Sequence, residues 1–124
     1  MKYLGIDFGT KRIGIAISDK EGTLAFPHAV IENNEKFFER LEEIVKKEGA
    51  EKIVVGMPKA LSGKETAMTK HVKEFIGQLK RKGFFAEEED EMFSTKMTKD
   101  NATRALRDAS AAALILQQYI DRKK

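Results

Sequence analysis

An aspartate interrupts an apolar segment near the start of the chain. In MKYLGIDFGTKRIG, Asp7 stands between Ile6 and Phe8, within a run that is typical of a buried strand. An ionised carboxylate inside a sheet is costly unless it is hydrogen-bonded, paired with a charge or bound to a cation. Asp7 is therefore either a cap that accepts hydrogen bonds from the turn at 9–11, or a ligand of a metal ion that further acids would share.

Acidic residues also follow a later predicted strand, in the segment EEEDEMFST at 87–95. Parallel strands present their C-terminal ends at the same edge of a sheet, so the end of this strand can lie near Asp7. We expect the glutamates at 87–89 to be solvated charge, as acidic runs usually are. Asp90 and Glu91, where the strand ends, are better metal-ligand candidates, and Glu91 is preferred if alternate glutamates of the run share its face.

A third acid, Asp108, opens the alanine-rich segment DASAAALILQQYI near the end of the chain. Taken alone, an aspartate at a helix start is often an N-cap whose charge also suits the helix dipole. Taken together, Asp7, Glu91 and Asp108 would converge on one cavity. Carboxylate oxygens favour Mg²⁺ or Mn²⁺ over Zn²⁺. Two such ions about 3.5 to 4 Å apart activate a water and stabilise the leaving oxygen in phosphodiester cleavage.

Composition limits the other kinds of site. The chain has no cysteine, which excludes disulfides and thiolate metal ligands. Its two histidines, His28 and His71, have no partner at metal-ligand spacing, and we expect both at the surface. No segment approaches the roughly 20 apolar residues of a membrane span, so we expect a cytoplasmic protein with no membrane partner. The net charge of +3 mildly favours polyanionic partners, and the length of 124 residues predicts a single domain over 1–124.

The hydrophobic pattern predicts the elements that position these acids. Three strands joined by short turns form an antiparallel meander, and Pro27 marks the third strand as an edge or a bend. The apolar spacing then becomes helical, with Asn34 able to cap the helix and Gly49 ending it. The predicted elements are strands at 3–8, 12–18 and 23–31, a helix between Asn34 and Gly49, a strand at 52–55, a helix before Gly83, a strand at 84–88 and a helix from about Asp108 to Arg122.

This order predicts an α/β fold with a five-stranded mixed sheet flanked by helices, in which strands alternate with helices after the first three. It is the outline of the ribonuclease H-like fold. Side-chain alternation in the first strand places Gly5 and Asp7 on the same face. We expect Gly5 and Gly9 to leave open space beside the acid, and Phe84 and Phe85 to pack in the core of the fifth strand.

Five segments resemble, in order, the motifs of the YqgF (RuvX) family. They are GIDFGTKRIGIAISD, TLAFP, IVVGMPKALSG, DEMFST and DASAAALILQQYID, and they span nearly the whole chain. Members of the family are described as pre-16S rRNA nucleases and as Holliday junction resolvase-like. The resemblance implies a ribonuclease H-like fold and a metal-dependent endonuclease that processes the 5′ end of pre-16S rRNA in ribosome biogenesis. Its partner would be structured RNA, with branched DNA of the Holliday junction type as the alternative.

The resemblance also implies roles for individual residues. Asp7, Glu91 and Asp108 match the acids of the family and would be the catalytic residues. They would bind Mg²⁺ or Mn²⁺, with two ions expected and Asp90 as a further candidate ligand. Lys11 and Arg12 match a basic pair that follows the first strand, and Ser94 and Thr95 match a pair of hydroxyl residues. The expected nucleic-acid contacts are Lys11, Arg12, Ser94, Thr95 and Lys96.

The chain departs from the family pattern at two places. Met92 stands where the family has arginine, and the stretch from Glu91 to Asp108 is shorter than the usual connector. A catalytically weakened nucleic-acid-binding module is therefore the alternative to an active nuclease. An ATP-binding kinase of the actin and sugar-kinase type has a similar first loop, but it needs two such domains, which 124 residues cannot supply.

The C-terminal third of the chain has a basic bias. Its cations either form a phosphate-binding surface together with Lys11 and Arg12, or neutralise the acidic run at 87–91. They are Lys96, Lys99, Arg104, Arg107, Arg122, Lys123 and Lys124. The sequence is compatible with a monomer or a homodimer.

Overall fold

The computed structural model describes residues 1–58, 67–90 and 104–123, with side chains throughout except at 104–110. Three strands come first and are followed by helices that alternate with strands, which confirms the predicted order. The elements are β1 (Tyr3–Asp7), β2 (Arg12–Ser18), β3 (Ala25–Glu32), α1 (Phe37–Glu48), β4 (Lys52–Met57), α2 (Ala67–Arg81), β5 (Ala86–Asp90) and α3 (Arg104–Lys123).

The strands form one mixed sheet with β1 at its centre. The order across the sheet is β3-β2-β1-β4-β5. β2 is antiparallel to both of its neighbours, whereas β4 is parallel to β1 and to β5. Crossover helices are required between parallel strands, and α1 and α2 provide them. The predicted meander and the edge position of Pro27 are confirmed.

The two faces of the sheet bury separate apolar clusters. α1 and α2 cover one face, where Leu4 and Ile6 of β1 pack with Phe37, Leu41 and other apolar side chains. α3 covers the other face. Its cluster consists of Ala16, Val54, Ala112, Ile115, Leu116, Tyr119 and Ile120. Alternation along β1 therefore points Gly5 and Asp7 toward α3.

α3 packs directly on the backbone of β1 at Gly5. A Cβ added there would lie 2.8 Å from the Cβ of Leu116 and 3.0 Å from the carbonyl oxygen of Ala112. Gly5 pairs with Ala16 of β2, so two small residues lie side by side beneath the helix. The expectation of open space at this glycine is wrong, because the helix fills the space that the missing side chain leaves.

The start of α1 differs from the prediction. The helix begins at Phe37, and its N-cap residue Lys36 makes no side-chain capping bond. Asn34 lies ahead of the helix, where its Oδ1 accepts a hydrogen bond from the backbone N–H of Lys36 at 2.9 Å. The end of the helix is as predicted, since Gly49 adopts a left-handed conformation with φ of 70° that suits glycine.

Two later elements are displaced from their predicted positions. β5 begins at Ala86, two residues later than expected, so Phe85 precedes the strand and is 77% exposed rather than packed in the core. α3 begins at Arg104, so Asp108 lies within the helix and the N-cap interpretation is wrong. Across the described ranges 1–58, 67–90 and 104–123, no helix combines the length and apolar character needed to cross a bilayer.

We predict that Gly5→Ala lowers the free energy of unfolding by about 1 to 3 kcal/mol, because α3 must move off the sheet to admit the methyl group. The matched control is Gly77→Ala in α2, where a Cβ would meet only the Nη1 of Arg81, at 3.5 Å. Alanine is the better helix former by about 1 kcal/mol, so this variant should be more stable than wild type. Urea unfolding at neutral pH measures both, and a Gly5→Ala protein as stable as wild type would contradict the close packing.

Candidate active site

Asp7 is the last residue of the central strand and is partly buried on the face that α3 covers. On β2 its register partner is Gly14. On β4, Val55 pairs with Ile6, so Gly56 is the next residue along that strand, beside Asp7. Neither glycine has a side chain, and the carboxylate of Asp7 therefore stands between two positions that lack a Cβ.

A tight turn connects Asp7 to β2. A Cβ at Gly9 would overlap the carbonyl oxygen of Arg12, so this glycine permits a close approach and does not leave the expected open space. Lys11 is exposed in the turn. Arg12 is the first residue of β2, and alternation with Gly14 places it on the face of Asp7. Both predicted basic contacts thus follow Asp7 at the same edge of the sheet.

The turn is held by Asn33, which follows β3. Its backbone N–H donates to the carbonyl oxygen of Lys11 at 2.9 Å. Its side-chain Nδ2 donates to the carbonyl oxygen of Gly9, also at 2.9 Å. This contact could not be predicted from the sequence, because an asparagine after a strand usually indicates only a turn of its own.

The expectation of solvated charge at 87–89 holds for Glu88, which is exposed, and is wrong for Glu87 and Glu89, which contact α3. Glu89 is 4% exposed and faces α3. Its Oε1 lies 2.6 Å from Nη2 of Arg122, and its Oε2 accepts a hydrogen bond from Nε2 of Gln118 at 2.7 Å. The same Gln118 nitrogen donates to the carbonyl oxygen of Asp90 at 2.6 Å. For Arg122, neutralisation of the acidic run is the observed role.

Glu87 forms a second anchor on the same face. Its carboxylate accepts a hydrogen bond from the hydroxyl of Tyr119 at 2.7 Å and lies 3.1 Å from Nζ of Lys52. The Tyr119 hydrogen bond, followed by the Lys52 contact, lowers the pKa of the Glu87 carboxyl. Burial, followed by the bond to Glu87, raises the pKa of the Tyr119 hydroxyl. The pair therefore stays in the state in which tyrosine donates and glutamate accepts.

Adjacent glutamines attach α3 to both edge strands. While Gln118 reaches the end of β5, the Oε1 of Gln117 accepts a hydrogen bond from the backbone N–H of Ala25 in β3 at 2.8 Å. Its Nε2 donates to the carbonyl oxygen of Thr23 at 3.1 Å. Sequence reasoning missed both residues, although two amides inside the apolar segment LILQQYI were a usable signal, since buried amides are normally hydrogen-bonded.

The remaining predicted site residues are only partly within the described ranges. Asp90 ends β5, and alternation places it with Ala86 on the face away from Asp7. Glu91, Met92, Ser94, Thr95 and Lys96 lie outside the described residues, as does the side chain of Asp108. Among the side chains that are described, no three acids or histidines form a group that could hold a metal ion. His28 and His71 are exposed, as expected.

A family model described as RuvX, Holliday junction resolvase, matches residues 1–122. The chain belongs to the RuvX family. A relative from Nitratidesulfovibrio vulgaris (strain Miyazaki F), named "Putative pre-16S rRNA nuclease", is 37% identical over 98% of this chain and 94% of its own. A relative of the same name from Anaplasma marginale is 38% identical over 99% of this chain and 86% of its own. The resemblance drawn from the five segments is confirmed.

Two solved structures are similar in fold to this RuvX chain. RuvC of Thermus thermophilus has a TM-score of 0.65 at 15% identity, covering 99% of this chain and 96% of its own. The Fowlpox virus resolvase, solved with Holliday junction DNA, has a TM-score of 0.63 at 11% identity and covers 99% of both chains. At these identities the similarity shows the fold alone, and it confirms the predicted ribonuclease H-like architecture.

The Glu87 anchor yields a pH-dependent prediction. Because the pKa of Glu87 is lowered in the folded state, its contribution to stability is present above its unfolded-state pKa and is lost as the pH falls through the lowered value. We predict that Tyr119→Phe costs about 1 kcal/mol at neutral pH, and that this deficit shrinks below about pH 4.

Urea unfolding at neutral and acidic pH measures this difference. The control is Tyr3→Phe, which alters the other ring of the Tyr3–Tyr119 pair and leaves both partners of Glu87 in place. A Tyr119→Phe deficit that is the same at both pH values would show that the hydroxyl does not act through the charge of Glu87.

Proposed function

We propose that this RuvX chain is a metal-dependent endonuclease that processes the 5′ end of precursor 16S rRNA in the cytoplasm, as a single domain over 1–124. The observation that carries the proposal is the position of Asp7, a partly buried carboxylate at the end of the central strand between two glycine positions. Relatives that are 37% and 38% identical to this chain over the aligned residues carry the name of that nuclease.

The packing of α3 supports Asp108 as a partner of Asp7. The ring of Tyr3 packs against that of Tyr119, with centroids 5.6 Å apart, whereas Gly5 packs against Ala112 and Leu116. β1 and α3 therefore run in opposite directions, so the end of β1 at Asp7 lies toward the start of α3. One further turn of the helix before Ala112 is position 108. We propose that this turn faces Asp7.

The face of β5 supports Glu91 as the third acid. Glu87 and Glu89 both point toward α3, as Asp7 does, and a continued strand period of two would place position 91 on the same face. β4 separates the two strands, so the backbones of β1 and β5 are roughly 10 Å apart. Acidic side chains that converge from both sides of β4 could span this interval.

The donor set fits a hard divalent cation. Carboxylate oxygens on one face of a sheet suit Mg²⁺ or Mn²⁺, and two such ions would supply an activated water and stabilise the leaving oxygen in phosphodiester cleavage. Asp7, Glu91 and Asp108 would hold the ions. Asp90 is a weaker candidate because alternation places it on the face of the sheet away from Asp7. Lys11 and Arg12 would contact substrate phosphates beside the metals, together with Ser94, Thr95 and Lys96.

Cleavage of branched DNA is the second candidate function. The family description and the RuvC structure in complex with a Holliday junction substrate favour it. A catalytically weakened binding module is the third, because Met92 replaces the arginine that the family has beside its acid. One cleavage assay distinguishes the three candidate functions, because each function predicts a different cleaved substrate or predicts binding without cleavage.

We predict that Asp7→Asn lowers the rate of precursor cleavage by on the order of 10³-fold or more, because the amide keeps the shape of the side chain but loses the negative charge that attracts the cation. The assay offers the wild-type chain a 16S rRNA precursor fragment and, separately, a four-way DNA junction. Each is incubated with Mg²⁺, with Mn²⁺ and with EDTA. Asp121→Asn, which removes an exposed acid of α3, is the control and should cleave at the wild-type rate within about twofold.

Each outcome of this assay has a distinct meaning. Cleavage that persists in EDTA, or in Asp7→Asn, overturns the metal mechanism. Cleavage of the junction alone replaces the rRNA function by that of a resolvase. Tight binding with no cleavage under either metal supports the binding module.

A further inference from the structure

Asn33 joins two peptide carbonyls of the turn that follows Asp7. The backbone N–H bond to Lys11 extends the pairing of Arg12 with Glu32, the last pair of the β2–β3 ladder. The side-chain bond to Gly9 reaches two residues further back along the turn. Together they fix the path of the chain on both sides of Thr10, from an adjacent strand.

The turn needs an external support of this kind. Thr10 and Lys11 are exposed, so few side-chain contacts hold them. At the other end, Phe8 is fixed by packing on Phe75, with ring centroids 4.9 Å apart. The Nδ2 of Asn33 therefore holds the stretch between a packed aromatic residue and the start of β2.

The neighbouring Asn34 makes contacts of a different kind. Its Oδ1 accepts from the N–H of Lys36, and its Nδ2 lies 3.4 Å from an oxygen of Glu32. Both partners lie within two residues of it in sequence, at the approach to α1. The chain thus provides two adjacent asparagines, of which one contacts the turn after Asp7 through its side chain and the other contacts its own neighbours.

We infer that Asn33 is a positioning residue, which holds the Gly9–Arg12 turn so that Lys11 can contact a phosphate of the RNA substrate. This rests on the proposed function, because Lys11 is assigned there to the substrate. The structural reason is that a lysine on a freely moving turn must lose conformational freedom when it binds, whereas a turn fixed beforehand loses less. Removing the Nδ2 donor should therefore weaken RNA binding through Lys11.

The test measures the dissociation constant of a fluorescently labelled 16S rRNA precursor fragment in EDTA, so that cleavage does not interfere. Asn33→Leu keeps the approximate size of the side chain and removes the donor without adding charge. We expect it to raise the dissociation constant about 3- to 10-fold, similar to Lys11→Ala. Asn34→Leu is the matched control and should change it by less than about 1.5-fold. Thermal unfolding of both variants shows whether they are folded, and Asn33→Ala is the second variant if Asn33→Leu is not.

The double variant separates positioning from general destabilisation. If Asn33 acts through Lys11, adding Asn33→Leu to Lys11→Ala should change the dissociation constant by less than about 1.5-fold. If Asn33→Leu weakens RNA binding as much in the Lys11→Ala variant as it does in the wild type, the inference is overturned. Equal RNA binding by Asn33→Leu and Asn34→Leu would also overturn it. Wild-type protein that binds no RNA either in EDTA or with Mg²⁺ would overturn the proposed function and this inference together, whereas normal wild-type binding with an inert Asn33 would overturn the inference alone.

Discussion

The contact between α3 and β1 at Gly5 determines how the rest of the site is arranged. A helix normally packs on side chains, but here Leu116 and the backbone of Ala112 lie against a strand residue that has no Cβ. The close approach is possible because Gly5 pairs with Ala16, so the central strands present small residues beneath the helix. With α3 held at this depth, its earlier turns are directed along β1 toward Asp7, the last residue of that strand.

The two glutamates of β5 that face α3 attach the strand to the helix. Glu87 and Glu89 bind side chains of α3 and fix the strand beneath the helix, and Gln118 continues that attachment to the carbonyl of Asp90. An acid that is already paired with arginine, lysine or tyrosine is poorly suited to bind a metal as well. The proposed ligand Glu91 follows these anchors in the sequence. Under the proposed function, one short run of acids would both attach the helix and supply a metal ligand.

The sequence was sufficient for the order of elements, because each strand and helix has a clear apolar period. The sequence was a less reliable guide to strand register and side-chain burial, because these depend on partners that are distant in the chain. Phe84 and Phe85 suggested a strand, yet the register of β5 with β4 begins with Ala86 opposite Ile53 and leaves Phe85 exposed. The burial of Glu89 depends on Arg122, more than thirty residues later, and no local pattern predicts such a pair. In the same way, the support of the Asp7 turn by Asn33 is a contact between the residue that follows β3 and the turn between β1 and β2. The position of Asp7 could be predicted, because a carboxylate in an apolar strand is unusual, and the structure places it at the end of β1.

Asp7 is proposed to bind a divalent cation as one of several acids. Anomalous diffraction from crystals of the wild-type chain grown with Mn²⁺ tests it directly. We expect a manganese peak about 2.0 to 2.2 Å from a carboxylate oxygen of Asp7, with a second peak about 3.5 to 4 Å from the first and with Glu91 and Asp108 as further ligands. Manganese bound only elsewhere on the chain, with the Asp7 carboxylate engaged by protein groups alone, would contradict it.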